Sequence, residues 1–217
     1  MKGPHQDQPV RTAGMPLGRA RAAMVLLHGR GATAESILSL ASELDGPDFA
    51  YLAPQAGSNS WWPQSFLAPI ASNEPGISSA MTAVDDVLRQ TAAAGIPSER
   101  TLLLGFSQGA CLAAEFAARH ACRYGGVAAL SGGLIGPDGT PREYAGSLDG
   151  TPIFLGCSDM DSHIPAERVR QSAEVMRRLG GEVTMRLYPR LGHEINEDEM
   201  AAVQAMVEAA HAGFGPQ

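Results

Sequence analysis

A serine, a carboxylate and a histidine stand in this chain at positions where acyl-transfer chemistry would need them. Ser107 lies within Gly105-Phe106-Ser107-Gln108-Gly109, between the apolar run Thr101–Leu104 and the helix-forming run Ala110–Ala118. A serine at a sharp strand-to-helix turn, with a glycine two residues to either side, is held in a strained backbone conformation while strand and helix approach closely. Its hydroxyl then sits at a helix N-terminus, where the dipole favours a developing negative charge. Serine is a weak nucleophile at neutral pH and needs an adjacent base, which in turn needs an orienting carboxylate. His193, in Leu191-Gly192-His193-Glu194, is the candidate base and general acid. Asp161 is the candidate orienting group, and Asp159 competes with it because spacing alone does not separate the two.

A tetrahedral oxyanion needs two preorganised N–H donors. The backbone N–H of Gln108, the residue after the nucleophile, is one candidate. The other is the backbone N–H of Arg30 in the glycine-flanked turn His28-Gly29-Arg30-Gly31. His28 itself reads as a structural residue that holds this turn. Of the remaining histidines, His163 belongs beside the pocket rim, His120 near a helix C-terminus, and His5 and His211 in the tails. The same turn satisfies a competing pattern, since Gly29-Arg30-Gly31-Ala32-Thr33-Ala34 fits the G-x-G-x-x-A dinucleotide fingerprint. That chemistry requires an acidic residue at the end of the next strand. Phe49–Ala53 instead runs into Pro54-Gln55, and Asp48 lies at its other end, so the oxidoreductase reading is disfavoured.

The elements that must position these groups alternate in type. Val10–Gly14 and Ala20–His28 are compatible with a lead-in hairpin turning at Met15–Gly18, with residues 1–19 as its lead-in segment. A helix is expected over Ala34–Leu44, a strand over Phe49–Ala53, a loop over 54–75 and a helix from about Ile77 to Ala94. Strand Thr101–Phe106, the nucleophile helix and strand Gly126–Leu130 follow, then a Gly/Pro-rich loop over 131–150. Strand Pro152–Gly156, helix Pro165–Leu179, strand Val183–Tyr188 and a helix from about Asn196 to His211 complete the order. Apolar strands alternating with amphipathic helices predict a mostly parallel sheet covered on both faces. Such sheets carry function at the carboxyl ends of their strands. Ser107, Asp161 and His193 each fall just after a predicted strand.

Bulk properties exclude other classes. The 217 residues suffice for one domain, 1–217, with a substantial core. The hydrophobic fraction of 44% with 18% charged residues rules out a disordered chain. A net charge of −7 argues against a phosphate-backbone partner, so no nucleic acid is expected. Arg11, Arg19 and Arg21 are scattered and read as a solvated segment. No stretch reaches membrane-span length, and the first 21 residues lack a signal-peptide pattern. Cys111, Cys122 and Cys157 are odd in number and lack metal-ligand spacing, which fits free thiols in a reducing compartment and a cytoplasmic protein.

The chain order Ser107, Asp161, His193 is the one expected on an α/β-hydrolase sheet. Leu27-His28-Gly29-Arg30-Gly31-Ala32, Gly105-Phe106-Ser107-Gln108-Gly109-Ala110, Asp161-Ser162-His163-Ile164-Pro165 and Gly192-His193-Glu194 together resemble the phospholipase/carboxylesterase family of α/β-hydrolases, which includes acyl-protein thioesterases and lysophospholipases. The resemblance runs from about residue 20 to the C-terminal helix. It implies an α/β-hydrolase fold without a separate cap domain and a serine nucleophile. It also implies that the acid is the Asp opening D-x-x-(V/I)-P, which is Asp161, and that an oxyanion donor follows His-Gly, which is Arg30. The reading that results is a cofactor-independent serine carboxylesterase with no metal, acting on small to medium esters through an acyl-enzyme. A thioester or lysophospholipid ester is the alternative bond, and a silent ligand-binding hydrolase fold the alternative class. Trp61, Trp62 and Phe66, in the loop after the second parallel strand, are expected to line the substrate pocket, because exposed tryptophans in a polar loop are costly; the alternative is that they anchor the loop to the core. A homodimer is left open.

Overall fold

Six consecutive hydrophobic residues, Ala22–Leu27, form a strand (β2) with no solvent exposure at any position. Its alternate residues feed two separate cores: Ala23, Val25 and Leu27 point to one face, and Ala22, Met24 and Leu26 to the other. A strand buried on both faces must have neighbours on both edges. In the computed structural model, which describes residues 3–212, β2 pairs in parallel with Phe49–Pro54 (β3) on one side and Thr101–Phe106 (β4) on the other. Gly126–Leu130 (β5), Pro152–Ser158 (β6) and Glu182–Tyr188 (β7) continue the parallel register outward from β4. Val10–Gly14 (β1) closes the other edge, and the strand order is β1-β3-β2-β4-β5-β6-β7.

The expected lead-in hairpin does not form. β1 pairs antiparallel with β3, Thr12 opposite Leu52, and β3 lies between β1 and β2. Met15 donates its N–H to Phe49 rather than closing a turn onto β2. An antiparallel strand needs only one paired edge, whereas β2 has both of its edges taken by parallel partners.

Helices cover both faces. Gly76–Ala93 (α2), Gln108–Arg119 (α3) and Ala166–Arg178 (α4) pack into one core, and Ala34–Leu38 (α1) and Glu197–Ala212 (α5) into the other. The helix expected over Ala34–Leu44 is shorter than its sequence suggests. α1 gives way after Leu38 to 3₁₀ turns over Ser39–Glu43. The hydroxyls of Ser36, Ser39 and Ser42 each donate to the carbonyl three residues back, at 2.6–2.8 Å, which competes with the i→i−4 ladder.

β3 and β4 leave β2 in opposite directions across the sheet, so the crevice beyond the ends of β2 and β4 is a topological switch point. Leu27 stands beside Gly105 in register, which places the His28–Gly31 turn next to Ser107.

Candidate active site

Ser107 occupies the turn between β4 and α3 with φ 56° and ψ −118°, a conformation that side-chain-bearing residues adopt at a cost of about 1–3 kcal/mol. Backbone packing holds it there. A methyl group on Gly109 would lie 1.9 Å from the Leu27 carbonyl oxygen, and one on Gly105 would lie 2.1 Å from that of Gly109. The Ser107 N–H also donates to Leu130 at 2.9 Å, tying the turn to β5. Gln108 is the first helical residue, so its N–H has no intrahelical acceptor.

From β6 and β7 come the other two groups. His193 Nε2 stands 2.8 Å from Ser107 Oγ, and its Nδ1 stands 2.7 Å from Asp161 Oδ2. A carboxylate accepts, so Nδ1 carries the proton and Nε2 is free to accept from the serine hydroxyl. The Asp161 side chain is fully buried. Burial works against its ionised form. The hydrogen bonds from His193 and from the N–H groups of His163 (2.8 Å) and Ile164 (3.0 Å) outweigh burial and hold the carboxyl below its ordinary value. Asp159, its competitor in sequence, instead accepts the Arg190 N–H through Oδ1 at 2.9 Å. His163 stands at the rim with its ring 4.7 Å from that of His193, centroid to centroid.

The cavity over these groups, about 420 Å³, is lined among others by Arg30, Trp62, Phe66, Cys111, His163 and Ile164. Trp62 and Phe66 therefore lie where a substrate pocket was expected. Trp61 does not. Its indole N–H donates to the His28 carbonyl at 2.9 Å, and its backbone N–H donates to Gln108 Oε1 at 2.9 Å. Adjacent residues point in opposite directions, and Trp61 braces the turns from behind while Trp62 faces the cavity. The Arg30 guanidinium donates to the carbonyls of Pro63 (2.7 Å) and Gln64, so the same residue stitches its turn to the tryptophan loop.

Two histidines support this frame. His28 is buried, with Nδ1 donating to the Gly29 carbonyl at 2.8 Å and Nε2 accepting the Ala56 N–H at 3.1 Å. His5, expected in a tail, is also buried. Its Nε2 donates to the Trp61 carbonyl at 2.9 Å and its Nδ1 accepts from Gly57 at 3.0 Å. Desolvation lowers the pKa of both rings below the ordinary histidine value. No local pattern in residues 1–9 signals this role, which depends on contacts more than fifty residues away. Cys111 and Cys157 are buried thiols, and burial pushes each up to about 12, so neither supplies a thiolate near neutral pH.

The dinucleotide alternative lacks its parts. Where an acidic residue would end β3, the Gln55 amide oxygen accepts the first N–H of α1 at 2.8 Å, and the Gly31 N–H is already given to Asn59 at 2.7 Å.

Residues 14–211 match the family model described as Phospholipase/Carboxylesterase. The chain belongs to that family. Membership places it among hydrolases of ester bonds, and the fold is the α/β-hydrolase fold. The crystal structure of a phospholipase/carboxylesterase from Dyadobacter fermentans is similar over 93% of this chain and 97% of its own, with a TM-score of 0.90 and 40% identity. A probable carboxylesterase of rice is 24% identical over 208 residues, covering 88% of this chain and 78% of the rice protein. Acyl-protein thioesterase 1 of Gibberella zeae is 30% identical over 125 residues, 56% of this chain. The matched region spans about half of that curated relative, 53% of its length. Among the described residues no helix is long and apolar enough to cross a membrane.

Proposed function

We propose that the protein is a serine carboxylesterase that works through an acyl-enzyme, with residues 1–217 forming a single catalytic domain. The observation that carries the reading is the continuous hydrogen-bonded chain Ser107–His193–Asp161, 2.8 and 2.7 Å, at the floor of an open cavity. Ser107 Oγ attacks the ester carbonyl carbon and its proton passes to His193 Nε2. Asp161 holds the Nδ1–H and stabilises the imidazolium. The carbonyl oxygen, now an oxyanion, accepts from the backbone N–H groups of Arg30 and Gln108, each such donor contributing roughly 3–4 kcal/mol to the transition state. Collapse of the tetrahedral intermediate expels the alcohol, which takes the proton from His193. A water then repeats the sequence on the acyl-enzyme, with His193 as base, and releases the acid. No step calls on a metal or cofactor.

Trp62, Phe66 and Ile164 give the cavity an apolar wall suited to the acyl or alcohol chain of a small to medium ester. A thioester is the second reading, favoured by the names of the fungal relatives, since the same atoms attack either carbonyl. Hydrolysis of p-nitrophenyl butyrate by the wild type and by Ser107→Ala, side by side, tests the proposal. A fall of about 10³–10⁶-fold in kcat is expected. Equal turnover by the two proteins would remove Ser107 from the chemistry.

A further inference from the structure

The segment Gly133–Gly136, just after β5, belongs to no helix or strand, yet buried side chains of two helices hold five of its eight backbone polar groups. From α3, Cys111 Sγ accepts the Gly133 N–H at 3.5 Å and Glu115 Oε2 accepts that of Ile135 at 2.9 Å. From α4, Ser172 Oγ accepts the Leu134 N–H at 2.9 Å. Arg168 Nη1 donates to the carbonyls of both Leu134 and Gly136, at 2.8 and 2.6 Å. Arg142 Nη1, from the following loop, donates to the carbonyl of Ile135 at 2.7 Å. The Gly136 N–H leaves this cage and donates to the Phe66 carbonyl at 2.7 Å.

Phe66 is thus pinned through one end of the strap, and its ring is touched from behind as well. The Arg168 guanidinium carbon lies 5.9 Å from the centre of the Phe66 ring, within cation–π range. Arg168 is only 4% exposed, whereas its ion-pair partner Asp138 is 94% exposed, so that pair adds little. A buried guanidinium carries a desolvation penalty that its hydrogen bonds must offset. Here those bonds go to the strap behind the pocket wall, and Arg168 itself does not line the cavity over Ser107.

We propose that Arg168 is a positioning residue that sets acyl-chain selectivity by fixing Phe66 in the wall of the substrate cavity. The proposal rests on the esterase reading above. With Arg168 in place the wall is rigid and a longer apolar chain meets a preformed surface. Without it the Gly136 carbonyl loses its donor, the Leu134 carbonyl keeps only the 3.4 Å bond from Arg142 Nη2, and the ring loses its backing, so the long chain gains less on binding while the carbonyl end of the ester is unaffected.

The test is kcat and KM for p-nitrophenyl acetate and p-nitrophenyl hexanoate with five proteins: wild type, Phe66→Ala, Arg168→Gln, Arg168→Lys and the double variant Phe66→Ala/Arg168→Gln. In Phe66→Ala the hexanoate-to-acetate ratio of kcat/KM should fall about tenfold, within the range a few lost methylene contacts produce. In Arg168→Gln it should fall about fivefold, through the KM for hexanoate, and Arg168→Lys should recover part of the loss. The double variant should match Phe66→Ala alone, because a residue that acts only through Phe66 has nothing left to position. A wild-type ratio in Arg168→Gln, whatever its Tm, overturns the proposal, and so do losses that multiply in the double variant. If Arg168→Gln does not fold, Arg168→Lys with and without Phe66→Ala carries the same comparison. A Phe66→Ala enzyme that is active with an unchanged ratio overturns the proposal by removing its target. Absence of hydrolysis by the wild type instead overturns the esterase reading beneath it.

Discussion

The two halves of the site are built by different means. On the nucleophile side, Ser107 is fixed by backbone against backbone: Gly105, Gly109, Leu27 and Leu130 leave no room for a single extra methyl group. On the acid–base side, the loops after β6 and β7 are held by side-chain hydrogen bonds. Ser158 Oγ accepts the Gly192 N–H at 3.3 Å, Asp159 the Arg190 N–H at 2.9 Å, and Asp161 the N–H groups of His163 and Ile164. The first side has one rigid arrangement because the attacking oxygen and the oxyanion donors must share a fixed geometry. The second side holds His193, which in the proposed mechanism moves the proton, and Asp161, which orients it, and both loops are held by polar contacts.

Gly109→Ala should break the rigid side most severely. Its methyl group has no space against the Leu27 carbonyl, so a loss of roughly 4 kcal/mol or more is expected, measured by denaturant unfolding of the purified variant. A variant within about 1 kcal/mol of wild type would show that the contact relaxes freely. Asp161→Asn should do the reverse, leaving the fold nearly intact while kcat for p-nitrophenyl butyrate falls by about 10²–10⁴-fold through the wrong imidazole tautomer. Unchanged kcat would separate Asp161 from His193 despite their 2.7 Å contact.

The smallest effect concerns pH. Glu199, in the first turn of α5, is buried, and its Oε2 accepts the Asn196 N–H at 3.0 Å while its Oε1 has no hydrogen-bond partner among the described residues. Burial pushes its carboxyl up to about 7. A carboxyl raised above its unfolded value contributes stability fully present below the ordinary carboxylate range, and that contribution is lost as pH rises towards 7 and through it. Glu199→Gln keeps an acceptor for Asn196 and cannot ionise. It should therefore flatten the decline in unfolding free energy between pH 5 and pH 8 by about 2 kcal/mol relative to wild type. Parallel pH profiles for the two proteins would show that Glu199 stays ionised in the fold.

What the sequence made legible follows from how local each determinant is. β2, β4, β5 and β6 are apolar runs buried along nearly their whole length, and such runs are visible in any window. The ends of β4 and β6 then point to Ser107 and Asp161, while His193 follows the half-exposed, alternating strand β7. The choice between Asp161 and Asp159 is not legible from spacing, because both lie in one loop and only their partners distinguish them, His193 for Asp161 and the Arg190 N–H for Asp159. Pairing of β1 was misread because a Pro/Gly turn is a local signal, whereas the insertion of β3 is not. Trp61 and Trp62 share composition and loop, and only the alternation of side-chain direction separates a brace from a cavity wall. His5 and the strap at 133–136 depend on partners far away in sequence, among them Gly57, Trp61, Phe66, Glu115 and Arg168, so no window of sequence contains them.

The central claim is that Ser107 becomes covalently acylated with His193 as its base. A fluorophosphonate, which phosphonylates an activated serine and cannot be turned over by water at a useful rate, tests it directly by intact mass and peptide mapping. The account predicts one adduct per chain, located on Ser107, absent in Ser107→Ala and much slower to form in His193→Ala. An unmodified wild type, or an adduct that persists in Ser107→Ala, would contradict it.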